Sequence, residues 1–355
     1  MIALIFCGDR RYCPYALRYI EQCEKNNVDY EFVYWNRSNI QGEIPSNYRV
    51  FESTSSLNKN KVFKFFDFYL FRKWVIQYLE ETKPDKCVLL STLTGVMISG
   101  YLIKNNIPYS FDVRDYSYEH IPVFKALENR CIKNSQFTAI SSPGFKSFLL
   151  DWKYIIAHNF NRADIETEKR FHKCSGKIHI VWLGVIRYFD FQKHYIDAFA
   201  NDKRFELIYH GDGPELEKFK QYCYNNKIKN VIFTGAYDNI NKLNLLQNAD
   251  ILNNAYGYER WAGNKLRYAI SNKFYDGIIF HIPQLSENEG VKSNWINNAK
   301  LGVSFCADNK LADKLFNYYY EINEDLFDDA CAKVLEQVLR DDDEFISAIE
   351  KFILG

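Results

Sequence analysis

The sequence has no surplus of charge. Lysine plus arginine and aspartate plus glutamate each number 45 in 355 residues, so the basic footprint of a nucleic-acid binder is missing. Paired cysteines are missing too. The nine stand apart, at 7, 13, 23, 87, 131, 174, 223, 306 and 331, with no CxxC. That scatter argues against a disulfide framework and a zinc site, and points to small hydrophobes in a reducing compartment. No apolar run is long enough to span a bilayer. The opening MIALIFCGDRR breaks at Gly8, too soon even for a signal peptide. The expected location is the cytoplasm, including the inner face of the membrane. Low-complexity stretches and internal repeats are absent, which removes tails and solenoids. No DxD follows a predicted strand, and Asp341-Asp342-Asp343 reads as a solvated charge run on a helix. Neither a metal nor a cofactor is expected.

What is present is a globular composition, 47% apolar and 25% charged, over a length that suits two domains. Apolar runs and helical stretches alternate. Strands are expected at 2–7, 30–35, 86–91, 109–113, 137–141 and 154–157, with helices at 15–26, 61–83, 95–105, 124–133 and 143–150 between them. The pattern restarts with strands at 178–183, 206–209, 231–234, 251–253, 282–285 and 302–305. Helices then fall at 191–200, 214–226, 239–248, 265–279 and 291–299, and again from 311. Two successive βα arrays imply two parallel sheets covered by helices. The predicted class is α/β, with two Rossmann-like domains facing across a cleft. The expected boundaries are 1–160, a polar linker at 161–176, 177–340, and a C-terminal helix at 341–355 that packs back on the first domain. Ligands of such sheets bind at the carboxyl ends of the strands.

Two motifs sit at such places, and a third lies on a helix. Leu183-Gly184-Val185-Ile186-Arg187 follows the first strand of the second array, with Lys193 six residues on. Arginine offers a forked donor set for phosphate oxygens and lysine a point charge, although two solvated basic residues on a loop would look the same. His210-Gly211-Asp212-Gly213-Pro214 contains GxG without the full dinucleotide fingerprint and reads as a tight turn. Asn272, Lys273 and Asp276 lie on a helix, where Asp276 offers two acceptors suited to a ribose diol. The plain alternative is an ordinary helix face.

In order, the segments VWLGVIR…QKH, ELIYHGDGPELEKF, NVIFTGAY, ADILNNAY and NKFYDGIIFHIPQL resemble the retaining GT-B glycosyltransferases of the GT4 type. Those enzymes build capsular, exopolysaccharide and lipopolysaccharide chains. FDVRDYS and AISSPGFKSFL resemble the acceptor-domain signatures of the same group. The resemblance implies a metal-independent hexosyltransferase that takes a nucleotide-sugar donor and a saccharide or lipid-linked acceptor. It places Arg187 and Lys193, with Gly184, on the donor diphosphate, and Gly8 in a glycine loop near the phosphates. Asp276 falls where the family has the second glutamate of E-x7-E, which holds the ribose. The first glutamate is replaced by Tyr268, so Glu259, Asn264 and Lys265 become the candidates for donor-sugar contacts.

Asp112, Arg114, Asp115 and His120 follow a strand of the first array and are the catalytic candidates, to orient the acceptor hydroxyl or take its proton. A salt bridge between Arg114 and an aspartate is the alternative. Residues 59–83 interleave Lys59, Lys61, Lys64, Arg72 and Lys73 with aromatic side chains. That suits core packing with basic ends, or a helix lying in a bilayer interface. Two other functions fit the same features: a nucleotide-sugar epimerase, and a non-catalytic partner subunit of a transferase.

Overall fold

The structure is a computed structural model. It describes residues 1–53, 61–166, 169–238, 241–257 and 263–355, with the backbone alone at 61–64, 166 and 263–265. The chain divides into two compact units, residues 1–158 with 340–355, and residues 159–339.

In the first unit the strands are β1 (Ile2–Phe6), β2 (Tyr30–Asn36), β3 (Tyr48–Glu52), β4 (Lys86–Leu90), β5 (Tyr109–Val113), β6 (Thr138–Ile140) and β7 (Ile155–Ile156). They form one sheet in the order β3-β2-β1-β4-β5-β6-β7, and every pairing is parallel. Parallel strands are covered on both faces, so they read as unbroken apolar runs. All five residues of IALIF in β1 are buried, as are all five of YSFDV in β5. The covering helices are α1 (Ala16–Lys25), α2 (Lys61–Thr82), α3 (Thr92–Lys104) and α4 (Pro122–Asn134). Phe345, Ile349, Phe352 and Ile353 complete the core beside Tyr19, Ile20 and Phe32. On α2, Phe71 stacks on Trp35 at 5.5 Å and Phe68 meets the same indole edge-on. The inner aromatics of α2 are therefore core, while Phe65, Phe66 and Tyr69 are exposed.

The second unit repeats the plan. Its strands are β8 (Ile178–Leu183), β9 (Phe205–His210), β10 (Val231–Gly235), β11 (Ile251–Asn253), β12 (Gln284–Ser286) and β13 (Gly302–Ser304). Their order, β10-β9-β8-β11-β12-β13, is that of the first six strands of the first unit, again all parallel. The helices are α5 (Phe189–Ala198), α6 (Leu216–Asn225), α7 (Lys242–Leu246), α8 (Gly263–Tyr268), α9 (Asn272–Ile279), α10 (Val291–Asn298), α11 (Leu311–Glu321) and the first part of α12 (Glu324–Leu354), whose residues from 340 on belong to the first unit. Strand order reverses between β1 and β4, and between β8 and β11. Those are the switch points at which doubly wound sheets hold ligands.

Three elements depart from the sequence reading. The edge strand β3 is half exposed, so its short YRVFE carries no buried-strand signal. The helix expected at 143–150 is a single 3-10 turn, Pro143–Ser147, started by the Ser142 hydroxyl accepting from the Gly144 N–H. The helix expected at 265–279 breaks into α8 and α9. Ser271 is extended there, and its hydroxyl is drawn to Asn254 Oδ1 at 2.6 Å. No glycine or proline announces that break.

Candidate functional site

The second unit's switch point is built from backbone first. Gly184 ends β8 with φ +123°, and its N–H donates to the His210 carbonyl at 3.0 Å. The Ile186 N–H donates to the Asp212 carbonyl at 2.9 Å. This loop lies so close to the turn after β9 that a Cβ on Gly211 would sit 1.9 Å from the Gly184 oxygen. One on Gly213 would sit 2.2 Å from the Ile186 oxygen. The GxG of that turn therefore serves close backbone packing. It fixes the loop that carries Arg187.

Arg187 is exposed and stacks over the Tyr188 ring at 4.8 Å. Tyr188 is left-handed, φ 66°, an uncommon state for a bulky residue and one that gathers at functional sites. Helix α5 then starts with the Phe189 N–H donating to the Glu215 carboxylate at 3.1 Å. Lys193, half-buried, lies one turn further on. Beside it the buried Gln192 ties β11 to α5. It accepts from Asn253 at 2.9 Å and Tyr209 at 3.1 Å, and donates to the Ala255 carbonyl at 2.7 Å.

Two further cations converge here from other elements. Lys273, on α9, is 3% exposed. Its Nζ lies 3.2 Å from the Trp182 ring centroid, 4.5 Å from that of Tyr256, and 3.5 Å from the Leu183 carbonyl that ends β8. Among the described residues no carboxylate stands within ion-pair distance of it. Lys292, on α10 and equally buried, lies 4.3 Å from the Tyr256 ring. It pairs with Glu287 at 3.0 Å and donates to the Asn254 carbonyl. Glu287 also accepts from the Tyr256 N–H at 2.8 Å. Two buried lysine amines thus share one tyrosine ring, and the one carboxylate beside that ring is paired with Lys292. Burial, then Lys292, and to a lesser extent Arg187, push the Lys273 amine well below the usual lysine range. A buried charge left this way is costly, and it sits where an anion would relieve it.

Asp276, one turn along α9, is buried rather than on the surface. Its Oδ1 takes the Lys242 ammonium at 2.9 Å, and Lys242 also reaches Asp164. Burial raises the Asp276 carboxyl above the usual range and Lys242 opposes that. Asn272, exposed, accepts from Asn159 at 2.7 Å.

In the first unit the carboxyl end of β5 is closed on itself. Asp112, fully buried, meets Arg114 at 2.6 Å through one oxygen and at 2.8 Å through the other. It also accepts from the Tyr19 hydroxyl at 3.1 Å. Arg114 donates to the Ala157 carbonyl at 2.8 Å and lies over the Tyr15 ring at 4.4 Å. Asp115 and His120 are exposed on the loop that follows. Gly8 is buried, and its N–H donates to the Phe6 carbonyl at 3.1 Å.

No protein-family model matches the chain, and no curated protein matches it in sequence. Solved structures do match. HepE from Anabaena, in complex with UDP, is 13% identical at a TM-score of 0.68, over 99% of this chain and 100% of that one. The lipopolysaccharide outer core galactosyltransferase WaaB is 14% identical at 0.63, over 94% and 95%. The fold is GT-B. A UDP-N-acetylglucosamine 2-epimerase assigned in Listeria monocytogenes has it too, 10% identical at 0.58 over 93% and 90%. The GT-B fold thus hosts more than one reaction.

Within the GT-B fold the expected donor residues divide. Gly184 and Arg187 follow the end of β8, Lys273 Nζ lies 3.5 Å from its last carbonyl, and Lys193 stands on α5. Asp276 and Asn272 belong to the same helix as Lys273, and Gly8 lies in the other unit. Of the candidates for donor-sugar contacts, Glu259 lies outside the described residues. Asn264 and Lys265 are placed by backbone alone, on α8 with Tyr268. Lys292, Glu287, Trp182 and Tyr256 were not singled out from the sequence. The available signal was a second lysine close behind a strand end, Glu287-x4-Lys292 after β12. Among the described residues no cluster of three or more His, Cys, Asp or Glu could hold a metal ion, and no helix is long and apolar enough to cross a membrane.

Proposed function

We propose that the chain is a glycosyltransferase. It moves a sugar from a nucleotide-sugar donor to a saccharide or lipid-linked saccharide acceptor in bacterial surface polysaccharide synthesis, with retention at the anomeric carbon. The observation that carries this reading is the crowding of basic side chains at the carboxyl end of β8, where Lys273 and Lys292 share the Tyr256 ring, Glu287 pairs with Lys292 alone, and Arg187 lies on the adjoining loop over Tyr188. A nucleoside diphosphate supplies the anion this cluster lacks. As it leaves it gains negative charge, so fixed cations help more in the transition state than in the ground state. Arg187 and Lys193 meet the phosphates from the loop side and Lys273 from beneath. Asp276, with Oδ1 on Lys242, meets the ribose diol through Oδ2. The fold relative HepE holds UDP and, in another complex, UDP-glucose, which supports a donor of that kind. With cations doing the neutralising, no metal is required. On the acceptor side, Asp115 and His120, exposed on the loop after β5, are the groups that would approach a hydroxyl. Asp112 and Arg114 position their loop.

The epimerase reading keeps support from the Listeria relative and from Tyr268 in place of the family glutamate. It predicts the same donor and no acceptor. The deciding experiment incubates the full chain with a panel of nucleotide sugars, with and without EDTA, and follows free nucleoside diphosphate and the sugar product. Release of nucleoside diphosphate that persists in EDTA is expected. Loss of activity in EDTA with recovery in manganese would remove the metal-free mechanism. Conversion of the donor sugar without net release would make the chain an epimerase, and binding without turnover a non-catalytic subunit.

A further inference from the structure

We propose that the outer face of α4, with the loop leading into it, docks onto the anionic face of a lipid bilayer. The helix is amphipathic in the opposite sense to an ordinary surface helix. Its inner face holds Glu128, Cys131 and Ile132, all buried. Its outer face holds Val123, Ala126, Leu127 and Arg130, spacings of three and four that align on one side. Val123 is 70% exposed and Leu127 41%, and Tyr118 and Ile121 on the preceding loop are 48% and 43% exposed. Tyr118 is braced edge-on against Phe124 at 5.5 Å. Pro122 opens the helix, so Ile121 and Val123 flank its first turn. Cations border the ridge: Arg130 and Lys133 are exposed toward the end of the helix, and His120 on the loop.

The acids that would repel a lipid surface are turned inward. Glu119 and Glu128 are buried and hydrogen-bond each other. Glu128 pairs with Lys125 at 3.1 Å, and Glu119 accepts from the Ser117 N–H at 2.5 Å. Burial pushes the Glu128 carboxyl up to about 7, so the pair shares a proton at neutral pH. From residue 113 to 150, Asp115 is the one exposed carboxylate, against Arg130, Lys133 and Lys146. Apolar side chains that enter the acyl boundary, ringed by cations that stay with the headgroups, are the physical description of interfacial binding. A second copy fits less well, because a two-fold contact through this face would set its own arginine and lysine against each other. The inference is independent of the transferase reading and of any contact through residues 59–83.

The test is co-sedimentation of the full chain with vesicles of phosphatidylcholine alone or mixed with phosphatidylglycerol, without any sugar donor. The chain should sediment with the mixed vesicles and be released by salt. The pair Val123→Asp with Leu127→Asp should weaken binding at least tenfold, and Arg130→Glu about tenfold at low salt. Circular dichroism checks the fold, and Arg130→Glu alone keeps the test decisive if the double variant unfolds. The pair Phe65→Asp with Phe66→Asp should leave binding unchanged. The proposal is overturned if the unaltered chain ignores mixed vesicles, if the α2 pair loses binding while the α4 variants keep it, or if the α4 variants only convert a dimer to a monomer.

Discussion

The two units share one strand order and end their central strands in opposite ways. At the carboxyl end of β5 the buried charge is complete: Asp112 has both oxygens on Arg114, and Arg114 is further satisfied by a carbonyl and a tyrosine ring. At the carboxyl end of β8 it is not. Lys273 has ring faces and one distant carbonyl, and the carboxylate Glu287 is already committed to Lys292. Buried charge that is paired holds a fold together, whereas buried charge that is unpaired costs stability and persists where something else benefits. By that criterion the proposed anion site belongs to the second unit, and β5 carries the loop with Asp115 and His120.

The largest way to break this contrast is Asp112→Ala. It strands a buried guanidinium, and removing one partner of a buried pair costs about 3–5 kcal/mol. Denaturant unfolding should show that loss. A variant that stays fully stable while losing turnover would instead make Asp112 a participant in the chemistry.

Next in size is Arg187→Ala. The side chain is exposed, so the fold should be untouched by circular dichroism. Turnover should drop by about 10²–10³, by analogy with other fixed donors that stabilise developing negative charge, and by more than donor affinity drops. Arg187→Lys should not fully restore it, because the fork is lost. Near-full turnover in a folded Arg187→Ala chain would move the clamp elsewhere, to Lys193 or the buried lysines.

These contrasts were only partly legible in the sequence. The sheets were legible, because parallel strands buried on both faces leave apolar runs, and Gly184, Gly211 and Gly213 mark where those runs end. That Arg187 and Lys193 follow such an end closely was legible too. What a sequence does not display is closure. FDVRD shows Asp112 and Arg114 two residues apart, but not that both oxygens of one are spent on the other. Lys292 is nineteen residues from Lys273, and only the packing of α9 and α10 against Tyr256 brings the two ammonium groups to one ring. The break between α8 and α9 depends on a hydroxyl reaching Asn254, a tertiary contact without a local signature.

The smallest effect is the most specific to the unpaired site. In the folded chain the Lys273 amine is held well below its ordinary range, first by burial and then by Lys292. In the unfolded chain it titrates as an ordinary lysine near 10.4. Between those two values the unfolded state binds more protons, so folding stability rises with pH. The slope is at most about 1.4 kcal/mol per pH unit from this group. Below the folded value both states are protonated and the full penalty of the buried charge remains. Lys273→Met removes the titration. The variant should therefore be more stable than the parent at neutral pH, with the gap closing as pH rises toward 10. Donor binding should run the other way. An anion beside the amine favours its charged form, so binding takes up a proton and weakens as pH rises, and the methionine variant should bind weakly at every pH without that uptake. Calorimetry in buffers of different ionisation enthalpy reads the proton directly. If the parent binds a nucleotide sugar with no proton uptake and Lys273→Met binds as well, then Lys273 is a buried structural lysine and the contrast between the two strand ends loses its meaning for ligand binding.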